Sequence, residues 1–243
     1  MTENRFPVRV RAELDAPGRW LGLVKWLLLI PHYIVLALLW VAFVILTFVA
    51  YVAVLFTGRY PQAIFEFNVG VLRWGWRVGY YGYQALGTDR YPPFTLADVP
   101  DYPATLRIDY PPRTKRWLPL VAWLLAVPQL IIISALNSNG TWQMYRDGAD
   151  EAWKWTFGPL GIFILVVALA LLFTGRYPRG LYDLLVGIAR WTLRVIAYVA
   201  LLTGEYPPFR LDQGGEDPDV DPDPEPVIDR AGVDEPPVSS QAR

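Results

Sequence analysis

The chain has no cysteine and only one histidine among its 243 residues. Without cysteine it cannot be a disulfide scaffold, a thiol enzyme or a thiolate zinc protein. It also lacks an acidic metal cluster, a Gly-rich phosphate loop and a Gly-x-Ser-x-Gly elbow, and its four serines stand in no nucleophile context. We therefore expect no catalytic residue, no metal and no cofactor, and a non-enzymatic role.

Charge is scarce in three long apolar runs. Residues 20–57 contain one full charge, Lys25, and the one imidazole, His32, while residues 117–136 and 157–174 contain no charge. The mean hydropathy of the whole chain is +0.25. About 20 helical residues cover the roughly 30 Å of bilayer hydrocarbon. The composition therefore predicts an all-α integral membrane protein, with one span in each of the two later runs.

The chain contains an internal repeat. The heptapeptide Leu-Phe-Thr-Gly-Arg-Tyr-Pro at residues 55–61 recurs at 172–178, and residues 6–31 align with 102–128. The alignment offset grows from 97 to 117 between these blocks, so the second copy has 20 extra residues, about 137–156, several of them charged. We expect two membrane repeats, 1–101 and 102–211.

The charged insertion predicts where the first apolar run turns. A segment with charged side chains cannot lie in hydrocarbon, where its charges and backbone would lack partners. The equivalent point of the first copy, near residues 39–40, is therefore also expected at a membrane surface. The first run then becomes a helical hairpin, 20–39 and 40–57, and the chain has four spans as two hairpins. The alternative is one long, tilted or Pro-kinked helix. In the hairpin arrangement most Lys and Arg lie on one side, which predicts cytoplasmic N- and C-termini in a multi-pass protein.

Residues 62–86 and 179–202 have helical patterning with a narrow polar stripe. At the helical period the stripe contains Gln62, Glu66, Gly70, Arg73, Arg77 and Gln84 in the first copy, and Arg179, Asp183, Gly187, Arg190 and Arg194 in the second. We expect interfacial amphipathic helices whose stripes face water or phosphates. The alternative is a third span per repeat, with the stripes facing each other inside a bundle.

Two short segments alternate apolar and polar residues, at 8–14 and at 105–110. This period of two is typical of half-buried strands. Residues 94–96 and 209–211, each after Tyr-Pro-Pro, are candidate partner strands. We therefore expect a small cytoplasmic β-sheet.

A Thr-x-x-Tyr-Pro pattern occurs four times in the sequence, each time directly after a predicted helix. Glycine stops a helix and proline prevents its continuation, so the pattern predicts a repeated exit corner. A lipid-headgroup role for the corner arginines is the alternative. With the stripe arginines, the candidate headgroup-binding residues are Arg59, Arg73, Arg77, Arg176, Arg190 and Arg194.

Polar residues also occur inside the predicted spans. His32 follows Pro31, and Gln129 follows Pro128 at the equivalent position. Such residues satisfy backbone groups freed by proline or bridge two helices. The alternative is a substrate or proton site built from His32, Gln129 and Lys25.

After Leu211 the chain becomes rich in Asp, Glu, Pro and Gly. Residues 212–243 cannot bury enough apolar surface to fold alone, so we expect a disordered acidic tail.

The quoted motifs resemble the bacterial domain-of-unknown-function 4389 family. The resemblance is carried by Val24-Lys25-Trp26-Leu27-Leu28, Ile30-Pro31-His32-Tyr33, the heptapeptide, Asn68-Val69-Gly70-Val71-Leu72-Arg73-Trp74 and Asp89-Arg90-Tyr91-Pro92-Pro93-Phe94. Residues 102–211 resemble a second, more diverged copy. The resemblance implies a bacterial membrane protein and supplies no catalytic residue.

We expect a membrane scaffold or accessory protein that engages anionic lipid headgroups and other membrane proteins, with no nucleic-acid partner. The alternatives are an oligomeric channel or a transporter of lipid or small solutes, and a membrane enzyme with a polar cavity.

Overall fold

The computed structural model describes residues 6–15, 17–18, 20–137 and 158–214. Most of the charged insertion and most of the acidic tail lie outside this part of the chain. Five helices and two strands follow one another in the order β1 Val8–Ala12, α1 Lys25–Thr57, α2 Gln62–Tyr81, β2 Ala104–Ile108, α3 Leu118–Asn137, α4 Pro159–Thr174 and α5 Arg179–Val199. A short 3-10 turn, Leu21–Leu23, precedes α1. The fold is mostly helical with a small sheet, as predicted.

Helix α1 is continuous for 33 residues, about 50 Å at the usual helical rise. The predicted hairpin at residues 39–40 is therefore wrong, because this stretch contains no residue that ends a helix. The ring of Trp40 instead packs within the helix against Phe43, with 4.8 Å between the ring centroids. The helix ends at Gly58, whose φ of 70° is the left-handed conformation that favours glycine at this position.

The two apolar helices of the second copy, α3 and α4, correspond to the two halves of α1. In the repeat alignment Asn137, the last residue of α3, matches Trp40, and Pro159, the first residue of α4, matches Ala42. In sequence, the insertion thus lies between two segments that correspond to one unbroken helix in the first copy. An insertion inside a helix does not require a turn at the matching point, which is why the hairpin inference failed.

The two strands pair with each other in an antiparallel register that aligns Val8 with Ile108 and Val10 with Leu106. The pairing follows the repeat, because Val10 and Leu106 are also equivalent residues of the two copies. A pseudo-twofold axis that relates the two copies therefore passes through the pair Val10 and Leu106. The strands at 8–14 and 105–110 were predicted correctly, but they pair with each other and not with residues 94–96 or 209–211.

The elements lie in layers. Helix α2 runs antiparallel to α1, since Asn68 Nδ2 donates to Thr47 Oγ1 at 3.1 Å and Trp74 Nε1 donates to His32 Nδ1 at 3.1 Å. On its other side α2 packs against β2, and in the second copy α5 contacts α3, α4 and β1. The inward residues of β1, such as Val8 and Val10, are buried in a core that both copies share. Helices α2 and α5 therefore lie between the sheet and the apolar helices.

Candidate functional site

The stripe arginines bind the edges of the sheet. Arg73 Nε donates to the main-chain oxygen of Leu106 at 2.9 Å, and Arg190 Nε donates to that of Val10 at 3.1 Å. Each arginine thus binds the strand of the other copy. The outer edge of a two-stranded sheet exposes unpaired carbonyl groups, and here guanidinium groups satisfy them.

The second arginine of each stripe binds chain segments near the sheet. Arg77 donates to the main-chain oxygens of Thr95 and Ala97, and burial lowers the pKa of this guanidinium from its usual value. Arg194 donates from Nε to Val8 O at 3.4 Å and forms an ion pair with Asp212 at 2.5 Å. The first residue of the predicted tail, Asp212, therefore takes part in the folded structure.

The expectation that the stripes face water holds for their ends, such as Gln62, Glu66 and Arg179, and is wrong for the arginines in their middle. Arg77, Arg190 and Arg194 are at most 2% exposed, and Arg73 is half-buried. The stripes also do not face each other, because each contacts a strand or the segment that follows its own helix. Pattern analysis identified the correct residues on one line but not their neighbour, since a polar stripe indicates a polar partner without distinguishing water from backbone carbonyls.

The repeated exit corner has the same geometry in both copies. Gly58 and Gly175 have φ angles of 70° and 65° and close α1 and α4. Thr57 Oγ1 and Thr174 Oγ1 each accept from the backbone N–H two residues later, at 3.1 Å in both cases. The arginines that follow these glycines, Arg59 and Arg176, are exposed.

Lys25 is buried at the start of α1 and is only 1% exposed. Its Nζ donates to Thr88 O at 2.7 Å and lies 2.9 Å from Asp89 Oδ1, and it also lies over the Tyr81 ring. The second copy has Ala122 and Gly204 in place of Lys25 and Asp89, so the cation and the anion are absent together. The joint loss is what we expect if the pair acts as a unit.

His32, a residue of α1, is fully buried against α2 and the segment after α2. Its ring stacks on Phe94 with 3.9 Å between centroids, and its Nδ1 accepts the hydrogen bond from Trp74. In the second copy Gln129 Nε2 donates to Pro207 O at 2.7 Å. His32, Gln129 and Lys25 thus have separate partners, and the predicted three-residue site is not assembled by these contacts.

The sequence placed two tyrosines in recurring motifs but did not predict that they contact the helices near their prolines. Tyr91 Oη donates to Leu28 O at 3.2 Å, and Tyr206 Oη donates to Leu125 O at 3.1 Å. Each acceptor lies three residues before Pro31 or Pro128. The recurring Tyr-Pro-Pro motifs were the available signal for these contacts.

An apolar cavity of about 460 Å³ lies between the two copies. It is lined by α1, α2 and α5, with single residues from the facing ends of α3 and α4, and includes Tyr33, Trp40, Gly75, Leu185 and Ile188. Among the described residues, no group of three or more His, Asp or Glu side chains is placed to hold a metal ion.

The profile of the domain of unknown function DUF4389 matches residues 21–95 and 158–210, which together make up more than half of the chain. The chain belongs to this family, and the two matched segments are consistent with tandem copies. In the second copy the match begins at α4 and leaves α3 outside. No curated protein and no solved structure matches the chain.

Proposed function

We propose that this protein is a non-enzymatic scaffold of the bacterial plasma membrane, and that its apolar helices lie along the cytoplasmic face of the bilayer. One observation carries this proposal. Helix α1 is long and apolar enough to cross a membrane, yet only 17% of the residues in its most apolar 18-residue stretch are buried. For α3 this value is 28%, and α4, with 16 residues, is a shorter apolar helix. A core helix of a water-soluble protein is mostly buried, so this surface favours contact with lipid.

The exposed side of α1 is a continuous apolar face. We define it by Ile34, Leu38, Val41, Ile45, Phe48, Val52 and Phe56, which recur every three or four residues and are 44–72% exposed. The opposite side packs on the protein through Lys25, Leu29, His32, Leu36, Phe43, Ala50 and Val54. The apolar face extends over most of the helix length and has no charged residue.

The position of the sheet favours an in-plane helix over a crossing helix. The middle of α1 contacts the middle of α2, where a Cβ on Gly75 would lie 4.0 Å from the Trp40 ring. Two residues away, Arg73 binds the middle of β2. If α1 crossed the bilayer, this strand and its exposed Arg107 would lie near the bilayer centre, where each charge costs about 3 kcal/mol or more.

An in-plane α1 removes this cost. Two packed layers separate the apolar face from the outer face of the sheet, which then lies about 20 Å away in water. In this arrangement both chain termini are proposed on the cytoplasmic side of the membrane. The in-plane helix alone supports this orientation, because the distribution of Lys and Arg indicated one side only through the hairpin. The four-span arrangement lacks its hairpin and is not proposed again.

The headgroup role is proposed for the exposed corner arginines, Arg59 and Arg176. The other four candidates are held by backbone carbonyls and carboxylates, which supports a structural role for them. A basic residue near an anionic membrane surface contributes about 1 kcal/mol to binding. We expect the double variant R59Q/R176Q to bind vesicles of phosphatidylcholine and phosphatidylglycerol more weakly and vesicles of phosphatidylcholine equally well.

The membrane arrangement is tested by cysteine labelling, which the cysteine-free chain allows without background. Single cysteines at Leu23 and Gln62 flank α1, and a third at Thr105 marks the sheet. In inverted and right-side-out membrane vesicles, an impermeant maleimide should label all three from the cytoplasmic side only. Labelling of Leu23→Cys and Gln62→Cys from opposite sides would show a crossing α1 and refute the in-plane arrangement.

The apolar cavity between the copies favours one second candidate, an oligomeric channel or a transporter of lipid or small solutes. Its lining suits an apolar molecule better than an ion. This function predicts flux in liposomes that falls when a residue lining the cavity is enlarged, as in Gly75→Leu. Capture of the protein from native membranes, with identification of co-purifying lipids and proteins, tests the expected membrane-protein partners of the scaffold.

A further inference from the structure

We propose that a cleft beside the first exit corner binds a phosphate-bearing anion through Arg59, Arg113 and Arg116. The cleft has a volume of about 420 Å³ and is lined by these arginines with Thr57, Gly58 and Thr114. We call it the arginine cleft. As a lipid site it rests on the proposed membrane function, whereas as a site for free phosphate it stands independently.

The first argument is the charge of the lining. It contains three guanidinium groups and no carboxylate. Within the described residues none of the three forms an ion pair, although Arg9, Arg107, Arg194 and Arg210 all have acidic partners. Like charges in one cleft repel each other unless an anion lies between them. Guanidinium groups are also the side chains best suited to bind phosphate oxygens in pairs.

The second argument is a buried hydroxyl without a partner. Thr114 is only 5% exposed, and its Oγ1 has no hydrogen-bond partner. A buried polar group without a partner costs about 1–3 kcal/mol, so such groups are rare in folded proteins. Thr114 lines the cleft, so a rotation about its Cα–Cβ bond would let the hydroxyl donate to a phosphate oxygen bound there.

The third argument is that the backbone around the cleft is held in place. Thr114 N donates to Gly58 O at 3.0 Å, and Tyr110 Oη donates to Tyr60 O, so the linker before α3 is attached to the corner on both sides. Gly58 is also close to Arg116, because a Cβ on Gly58 would lie 3.4 Å from Arg116 Cγ and Nε. The lining residues therefore come from two fixed segments, one from each copy of the repeat.

The second copy provides an internal control. Its corner repeats Thr-Gly-Arg-Tyr-Pro, with Arg176 in place of Arg59. The residue equivalent to Thr114 is Pro17, which has no hydroxyl. The inference therefore predicts one specific site at the first corner and none at the second.

The test measures binding of inorganic phosphate to the full chain, purified in detergent and stripped of lipid, by isothermal titration calorimetry. We expect R59Q, R113Q and R116Q each to weaken binding about tenfold or more, as expected for loss of a charge-assisted hydrogen bond. R179Q, at an exposed position outside the cleft and outside the proposed headgroup residues, should bind like the wild type. T114V retains all the charges and should bind several-fold more weakly, so it detects a role of the hydroxyl itself.

A second arm identifies the source of the phosphate. Vesicles of phosphatidylcholine with phosphatidic acid are compared with phosphatidylcholine alone for the wild type and for R113Q/R116Q. A preference for phosphatidic acid that the double variant loses supports a lipid phosphate. Phosphate binding without this preference supports a free phosphate or phosphoester. If the protein binds phosphate but the cysteine labelling shows a crossing α1, the arginine cleft is supported. Only the proposed membrane arrangement is then refuted.

Two results would overturn the inference. One is no detectable phosphate binding by the wild type, and the other is equal binding by the wild type and R59Q/R113Q/R116Q. Because Arg59 is exposed and T114V removes only a hydroxyl, these variants are expected to unfold at the wild-type temperature. A variant that does not fold is replaced by the corresponding lysine substitution, which keeps the charge and loses the paired hydrogen bonds.

Discussion

Arg190 donates from Nε to the main-chain oxygen of Val10, 3.1 Å away in space and 180 residues earlier in the chain. The equivalent bond joins Arg73 to Leu106. The helix of each copy therefore secures the strand of the other copy, and the two copies share one core. The repeat is a duplicated unit in sequence and an interlocked pair in structure.

The first prediction concerns this arginine. Arg190→Met removes donors to Val10 O, Asp212 O and Gly214 O and leaves these carbonyls without the guanidinium. We expect the free energy of unfolding to fall by about 3–5 kcal/mol, the usual cost of breaking a buried charged network. Denaturant titration of the detergent-solubilised chain, followed by tryptophan fluorescence, measures this change.

The matched control is Arg179→Met on the same helix, where the side chain is exposed. It should change the free energy of unfolding by about 0.5 kcal/mol at most. Similar losses for the two variants would contradict the buried role of Arg190.

The second prediction concerns the continuity of α1. Val41 is 59% exposed and lies at the position where the sequence suggested a turn. Val41→Pro should lower the free energy of unfolding by about 3 kcal/mol, because proline removes a helix hydrogen bond and clashes with the preceding turn. Val41→Ala removes the same side chain without this effect and is the control. A proline variant as stable as the alanine variant would support the predicted hairpin and contradict the continuous helix.

The third prediction concerns Lys25 and Asp89. A double-mutant cycle with Lys25→Met and Asp89→Asn should give a coupling energy of about 1–3 kcal/mol, because one partner is fully buried and the other is partly exposed. The double variant resembles the second copy, which has neither charge. It should therefore be more stable than Lys25→Met or Asp89→Asn alone. Additive effects in the cycle would mean that the pair does not act as a unit.

The fourth prediction concerns alkaline pH. Tyr80 Oη and Tyr182 Oη lie 2.9 Å apart, and burial raises the pKa of Tyr182 to about 12 and that of Tyr80 further above its usual value. Unfolding returns both hydroxyls to a pKa near 10, so the unfolded chain loses these protons first. Their contribution to stability is complete below about pH 10 and is lost as pH rises toward the folded-state values.

The measurement is the ultraviolet absorbance of tyrosinate during an alkaline titration, together with the free energy of unfolding at each pH. Tyr182→Phe should remove one late-titrating group and reduce the pH dependence of the free energy of unfolding above pH 10. Titration of Tyr182 near pH 10, the value for an unfolded chain, would contradict its burial.

The periodic patterns predicted the local structure well. The period of two at residues 8–14 gave a strand, Val8–Ala12, and the polar stripes lay on real helices that begin at Gln62 and Arg179. These signals are local, because a helix or a strand repeats its own period along the chain. The family resemblance was confirmed as well.

The failures concern what each element contacts. A continuous α1 and a hairpin at Trp40 have the same apolar composition, and only packing against α2 distinguishes them. The arginine cleft was missed for the same reason: Arg113, Thr114 and Arg116 are unremarkable in a linker, and they meet Arg59 only in the folded chain. Contacts between distant segments leave no periodic trace in the sequence.

The pairing of Val10 with Leu106 makes two equivalent surfaces complementary to each other, as in an isologous homodimer whose subunits have been joined into one chain. A relative with a single copy would have a strand without a neighbour and an arginine without its carbonyl. Association with a second molecule of itself would satisfy both.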